Sequence, residues 1–252
     1  MSPDAHAPRN WFDAGGAAYA QFRPDYPPEL AAFLASIAPG TALAVDVGCG
    51  NGQLTTQLAA HFDAVLGADP SADQITNAAA HPHVRYVCAP AEQLPIADHV
   101  AQLVTAAQAA HWFDLPRFYR EVRRIAAPSA VLALVSYGVP QLDAELDPRF
   151  SQFYWQDIGP YWPASRRLVE SGYADLAFPF AELAPPPIEI RKHWALDALL
   201  GYLSTWSAVR HAREAGRADL LRDFARDLTA LWGDPTRERE IHWPIHMRLG
   251  QP

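Results

Sequence analysis

Cysteine is scarce in this chain of 252 residues: Cys49 and Cys88 are the only two, which excludes a disulfide framework or a zinc-binding spacing. Positive charge is also in short supply. Twenty Lys and Arg against 28 Asp and Glu leave a net charge of -8, which argues against nucleic acid as a partner. No stretch approaches the ~18 consecutive apolar residues of a membrane span, and the residues from Met1 carry no apolar leader. A soluble, cytoplasmic protein without a membrane partner is therefore expected. Internal repeats and low-complexity tracts are absent as well. What remains is 50% hydrophobic and 19% charged, a globular composition, at a length suited to one domain with an elaborated cap or a small second lobe.

The most informative stretch is Val45-Asp46-Val47-Gly48-Cys49-Gly50-Asn51-Gly52, where an apolar run breaks into glycines at alternate positions. Ala42 to Val45 suit a strand covered on both faces, and Gln53 to Ala60 have helix-forming composition. A strand turning into a helix through such a loop offers free backbone N–H groups and no Cβ atoms to obstruct a ligand. The spacing selects among ligands. Dinucleotide loops want G-x-G-x-x-G, but Gln53 occupies the place of the third glycine, and the lysine of a phosphate-binding loop is missing. A nicotinamide oxidoreductase is thereby disfavoured. Asp46 lies two residues before Gly48, where a carboxylate would repel a pyrophosphate but accept hydrogen bonds from an ammonium. Asp69 ends the apolar run from Ala64, 23 residues after Asp46, in the place of an acid that takes both hydroxyls of a ribose. Ribose, an ammonium and no phosphate describe S-adenosylmethionine. Cys49, inside the loop, reads as a small residue tolerated beside the ligand in preference to a reactive thiol.

Strands near 64–68, 84–88, 103–107 and 131–135 alternate with helices beginning near Ser71 and after Asp114, which implies a doubly wound, mostly parallel α/β sheet with its ligands at the carboxyl ends of the strands. Leu196, Leu199, Leu200, Leu203 and Trp206 mark one later helix, and Leu220, Leu221, Phe224, Leu228 and Leu231 another that stops at Gly233. Ile188 to Arg191 alternate as a strand. Ile241 to Leu249 alternate strictly, with His242 and His246 on the polar face; two histidines without a third ligand do not make a metal site. The expected organisation is a single domain: 1–40 a strap or lid, 41–137 a cofactor-binding half, 138–187 an aromatic cap, and 188–252 C-terminal strands with inserted helices.

The motif Asp46-Val47-Gly48-Cys49-Gly50-Asn51-Gly52 resembles the signature of class I S-adenosylmethionine-dependent methyltransferases, and Asp69 matches their ribose-binding acid. Ala91-Glu92-Gln93-Leu94-Pro95 and Gln108-Ala109-Ala110-His111-Trp112-Phe113 resemble the small-molecule branch called type 11, which includes trans-aconitate methyltransferase. This resemblance implies a Rossmann-like seven-stranded sheet of order 3-2-1-4-5-7-6, with the last strand antiparallel. It implies S-adenosylmethionine as cofactor, becoming S-adenosylhomocysteine, with no metal. Asp46, Gly48, Cys49, Gly50, Gly52, Gln53, Asp69, Pro70, Ala91, Glu92 and Gln108 would line the cofactor. Ala101 and Gln102 replace the usual Phe-Asp before the fourth strand, which reads as a packing change.

Methyl transfer needs little acid-base chemistry, because holding the acceptor in line in a dry pocket supplies most of the effect. His111, at the end of the fourth strand, is the candidate base or acceptor-orienting group. Tyr19, Arg23, Trp112, Tyr137, Tyr161, Trp162 and Arg166 are candidates for contact with a small-molecule acceptor, the arginines as clamps for a carboxylate. A noncatalytic protein that binds S-adenosylmethionine as a sensor or partner is the alternative.

Overall fold

The computed structural model describes residues 23–252. Tyr19 and most of the aromatic strap around it lie outside the described residues. The chain divides into two compact units.

The first unit covers residues 25–140, 165–191 and 242–252, and holds the sheet. Helix α1 (Pro28–Ile37), with a proline in its first turn, buries Leu30, Ala31 and Leu34. Strand β1 (Ala44–Val47) is buried at every residue, Asp46 included. There follow α2 (Gln53–Leu58), β2 (Val65–Asp69), α3 (Ala72–Thr76), β3 (Val84–Cys88), β4 (Ala101–Ala107), α4 (Leu115–Ile125) and β5 (Ala126–Tyr137). The two expected helix starts are capped by side chains: Ser71 accepts from the Gln74 N–H and Asp114 from the Arg117 N–H. Farther on, α6 (Arg166–Glu170) holds the paired arginines and is followed by the three-residue β6 (Ala181–Leu183).

The sheet order is β3-β2-β1-β4-β5-β8-β6, where β7 (Ile188–Trp194) also pairs with β8 (Arg239–Gln251). The first five strands pair in parallel and β8 runs antiparallel to both β5 and β6. This is the expected winding with one strand more than the expected seven. The extra one is β6, whose three residues are all exposed and too few to show a period of two. Alternation in β8 does what it should: Ile241, Trp243, Ile245, Met247 and Leu249 are buried, and His246 is exposed. Gln102 accounts for its replacement of an acid, since its Oε1 accepts the Leu43 N–H at 2.7 Å and ties β4 to the entry of β1.

The second unit is built from residues 141–164 and 192–241, together with Arg23 and Pro24. Its core is aromatic. Phe153 stacks on Phe224 with centroids 4.1 Å apart, and Trp206 meets both Phe150 and Tyr154 edge-on. The residues around these rings form α5 (Asp147–Gln152), then α7 (Leu196–Ser204), α8 (Ser207–Glu214) and α9 (Asp219–Trp232). Gly233 ends α9 with a φ of 78°, as expected. The single helix expected over Leu196 to Trp206 instead stops at Ser204. There the Ser204 and Thr205 hydroxyls bond back to the Gly201 and Tyr202 carbonyls, and a separate α8 starts at Ser207. The segment read as a cap, 138–187, is divided between the two units.

Candidate active site

The glycine loop is shaped by close approach as much as by its φ angles. Gly48, Gly50 and Gly52 all have positive φ. A Cβ on Gly48 would lie 2.4 Å from the Ala109 Cβ, and one on Gly52 would lie 2.0 Å from the Tyr86 hydroxyl oxygen. The first contact seats the turn after β4 against the loop; the second seats the Tyr86 ring against the start of α2. At Gly50 a Cβ would meet nothing nearer than the Gln74 side chain at 3.7 Å, so the middle of the loop stands open. A backbone of this form, with room at its centre, suits a ligand that must approach the main chain.

Asp46 is 1% exposed and holds the loop from within. One of its carboxylate oxygens accepts from the Thr105 hydroxyl of β4 and the other from the Thr55 hydroxyl of α2, each at 2.7 Å. Burial raises its pKa to about 6, and the hydroxyl bonds pull it back only in part. Asp46 therefore reaches the loop by charge and by bracing, with no open edge for a ligand's ammonium. Asp69 is placed differently. It is half-buried at the end of β2, and accepts the Gly50 N–H at 2.9 Å and the Ser71 N–H at 2.8 Å through separate oxygens. A carboxylate has about four acceptor sites, so these two bonds leave capacity for two hydroxyls.

The other expected cofactor residues fall around this pair. Cys49 is half-buried and its thiol is pushed well above the usual range by burial, with the Asp46 and Asp69 charges adding to the effect. Gln53 opens α2 and reaches Asp25 at 3.4 Å, and the Pro70 carbonyl lies 3.4 Å from the Cys88 sulfur. Ala91 is buried, while Glu92 accepts the Asp114 N–H at 2.9 Å and so links the loop after β3 to the cap of α4. Gln108 has a φ of 54° and donates from its side chain to the Tyr137 carbonyl at 3.0 Å, joining the ends of β4 and β5.

His111 lies in a single helical turn, Ala110–Trp112, two residues beyond the contact between Ala109 and Gly48. Its Nδ1 is 3.0 Å from the Tyr173 hydroxyl. Burial, and secondarily the charge of Arg166, lower its pKa to about 4, so the ring is neutral at pH 7. Trp112, 70% exposed, has its ring 4.9 Å from that of His111. Arg166 is ion-paired with Glu170 at 3.8 Å. Tyr137 is buried, with its ring edge-on to Tyr26. The remaining acceptor candidates belong to the second unit. Trp162 packs on Tyr154 and Trp206, the Tyr161 carbonyl accepts from His211, and Arg23 lies over the Tyr202 ring.

Two contributors to this arrangement carry no signal in the sequence. Tyr173 sits 62 positions from its histidine, in the stretch read only as an aromatic cap. Glu121, buried on α4, accepts the Leu94 N–H and an Arg124 guanidinium that also bonds the Leu94 and Ile96 carbonyls, which fixes the loop beside Ala91. A charged pair on a helix gives no indication that it will grip a distant loop.

The family of type 11 methyltransferase domains matches residues 45–134. A provisionally assigned methyltransferase of Dictyostelium discoideum is 32% identical over 248 residues, 95% of this chain and 94% of the relative. This chain belongs to the class I S-adenosylmethionine-dependent methyltransferases. The solved structure of a provisionally assigned type II methyltransferase from Anaeromyxobacter dehalogenans is 46% identical to this one, with a TM-score of 0.87 over 91% of this chain and 98% of that one. A Saccharomyces cerevisiae protein assigned as an S-adenosylmethionine-dependent methyltransferase is 31% identical over 134 residues, 50% of this methyltransferase and 46% of its own length. The family implies S-adenosylmethionine as the cofactor and a substrate to be methylated. Among the described residues, no helix is long and apolar enough to cross a membrane.

Proposed function

We propose that this methyltransferase transfers the methyl group of S-adenosylmethionine to an oxygen of a small molecule, a carboxylate or a hydroxyl. The observation that carries this reading is the meeting of three parts: the open glycine loop, the half-buried Asp69 with acceptor capacity to spare, and the His111 turn packed on Gly48. Bound there, the cofactor supplies a methyl group on sulfonium, which needs no further activation as a leaving group. The chain's own residues bind and orient. Asp69 holds the ribose hydroxyls, the loop backbone lies along the methionine part, and Ala91 and Glu92 flank the adenine. Asp46 lends negative charge beneath a cationic ligand. Next to His111, Trp112 offers an exposed apolar face and Arg166 a positive potential suited to an acidic acceptor.

The resemblance to the branch of trans-aconitate methyltransferase puts small carboxylic acids first among acceptors. Incubating the protein with labelled S-adenosylmethionine and a panel of small carboxylic acids, phenols and amines tests the reading. Label in a carboxylic or phenolic product supports it. Label only in an amine refutes the oxygen acceptor, and cofactor binding without transfer to any of them refutes small-molecule catalysis.

A further inference from the structure

Tyr173 is unusual in its backbone as well as in its contacts. Its φ is 65°, directly after Gly172 at 62°. A bulky residue in that region is strained and persists only when its surroundings hold it there. Here the Tyr173 N–H donates to the Leu168 carbonyl at 2.7 Å, and the Tyr173 carbonyl accepts from Arg248 at 2.9 Å. A Cβ on Gly172 would lie 2.6 Å from the His246 ring, so β8 closes the turn from the other side. The ring itself is fully buried.

The phenol thus has one aim. Its oxygen lies 3.0 Å from His111 Nδ1, the one hydrogen-bond partner it has among the described residues. A phenol oxygen has two lone pairs and one proton. Nδ1 is the acceptor within reach of that buried proton; a phenol that instead accepted from an Nδ1–H would leave its own O–H buried without a partner. Burial pushes the Tyr173 pKa up, so the hydroxyl keeps that proton. An imidazole that accepts at Nδ1 and is neutral carries its own proton on Nε2.

The geometry points to Tyr173 as a positioning residue that locks His111 in the neutral Nε2–H form, so that the imidazole donates a hydrogen bond to a negatively charged oxygen of the acceptor. This rests on the methyl-transfer reading and narrows its acceptors to molecules that arrive as oxyanions, with carboxylates foremost. Transfer then forms a C–O bond from an oxygen lone pair as the C–S bond breaks onto sulfur; the two charges cancel and no proton leaves. A base at this position is not required.

Nitrogen-15 NMR of the labelled full chain at pH 7, with His111 assigned by the loss of its signals in His111→Gln, reads the tautomer directly. The expected result is a protonated Nε2 and an unprotonated Nδ1 in the wild type, moving toward a mixture in Tyr173→Phe. A proton on Nδ1 in the wild type overturns the inference, whether or not the Phe variant folds. Kinetics give a second arm. Gln retains an N–H donor but cannot act as a base, so His111→Gln should stay within about tenfold of wild type while His111→Ala falls by about 100-fold. Equal losses in the two variants would assign a base and overturn the inference. In Tyr173→Phe the acceptor KM should rise with the cofactor Kd unchanged. Failure to methylate any carboxylic or hydroxyl acceptor would refute the proposed function with the tautomer intact, whereas transfer to neutral hydroxyls alone would refute this inference. An Nδ1–H ring in an active enzyme would refute this inference alone.

Discussion

A buried carboxylate with two hydroxyl partners is a costly way to brace a loop. The Asp46 carboxyl titrates near 6 in the folded chain against an ordinary 3.8, so between those values the native state holds more protons than the unfolded chain. Stability therefore falls as pH rises through that window, by about 3 kcal/mol at 1.36 kcal/mol per pH unit. Asp46→Asn, which is nearly the same shape and does not titrate, should gain about 2 kcal/mol on the wild type between pH 4 and pH 7. Denaturant unfolding at the two pH values measures this, and an unchanged gap would contradict it. A cationic ligand in the loop would offset the cost. The cysteines offer a separate check. Cys49 is held as a thiol beside two carboxylates, whereas Cys88 is exposed, so a thiol reagent at pH 8 should label Cys88 rapidly and Cys49 only after unfolding.

Among the elements, those with signals carried by neighbours along the chain were legible and those set by contact were not. The β1 run, the β8 alternation, the Asp114 cap and the Gly233 stop can each be read from neighbours along the chain, because the physics that decides them is local. The break of α7 at Thr205 was not legible, since hydroxyls that suit a helix surface and hydroxyls that end a helix look alike until their carbonyl partners are known. The same holds for the site. The glycine loop and Asp69 are recognisable from spacing, but the grip of Tyr173 on His111 and the sealing of Asp46 by Thr55 and Thr105 depend on residues brought together by the fold. The contact between loop and turn gives a test. In Gly48→Ala the new Cβ would collide with Ala109 at 2.4 Å on a backbone of φ 69°. We expect a loss of about 1–3 kcal/mol in stability, from overpacking and strain, together with weaker cofactor binding. Unaltered melting and binding would show that the turn does not seat on the loop.

At the scale of the whole molecule, the winding of the sheet and the aromatic unit play different parts. The sheet brings the carboxyl ends of β1, β2 and β4 together, and with them the loop, Asp69 and His111. The aromatic unit packs through its own rings and ion pairs; Arg149 reaches both Asp157 and Asp227, and Arg239 both Asp143 and Glu145. The central claim is that the sheet unit binds S-adenosylmethionine through Asp69. Titration calorimetry of the full chain with S-adenosylmethionine, beside Asp69→Ala and beside NAD, tests this most directly. We predict binding by the wild type, a loss of about 10- to 100-fold in Asp69→Ala, as expected for removing charge-assisted hydrogen bonds to two hydroxyls, and no binding of NAD. Equal affinity in Asp69→Ala, or binding of NAD in place of S-adenosylmethionine, would contradict it.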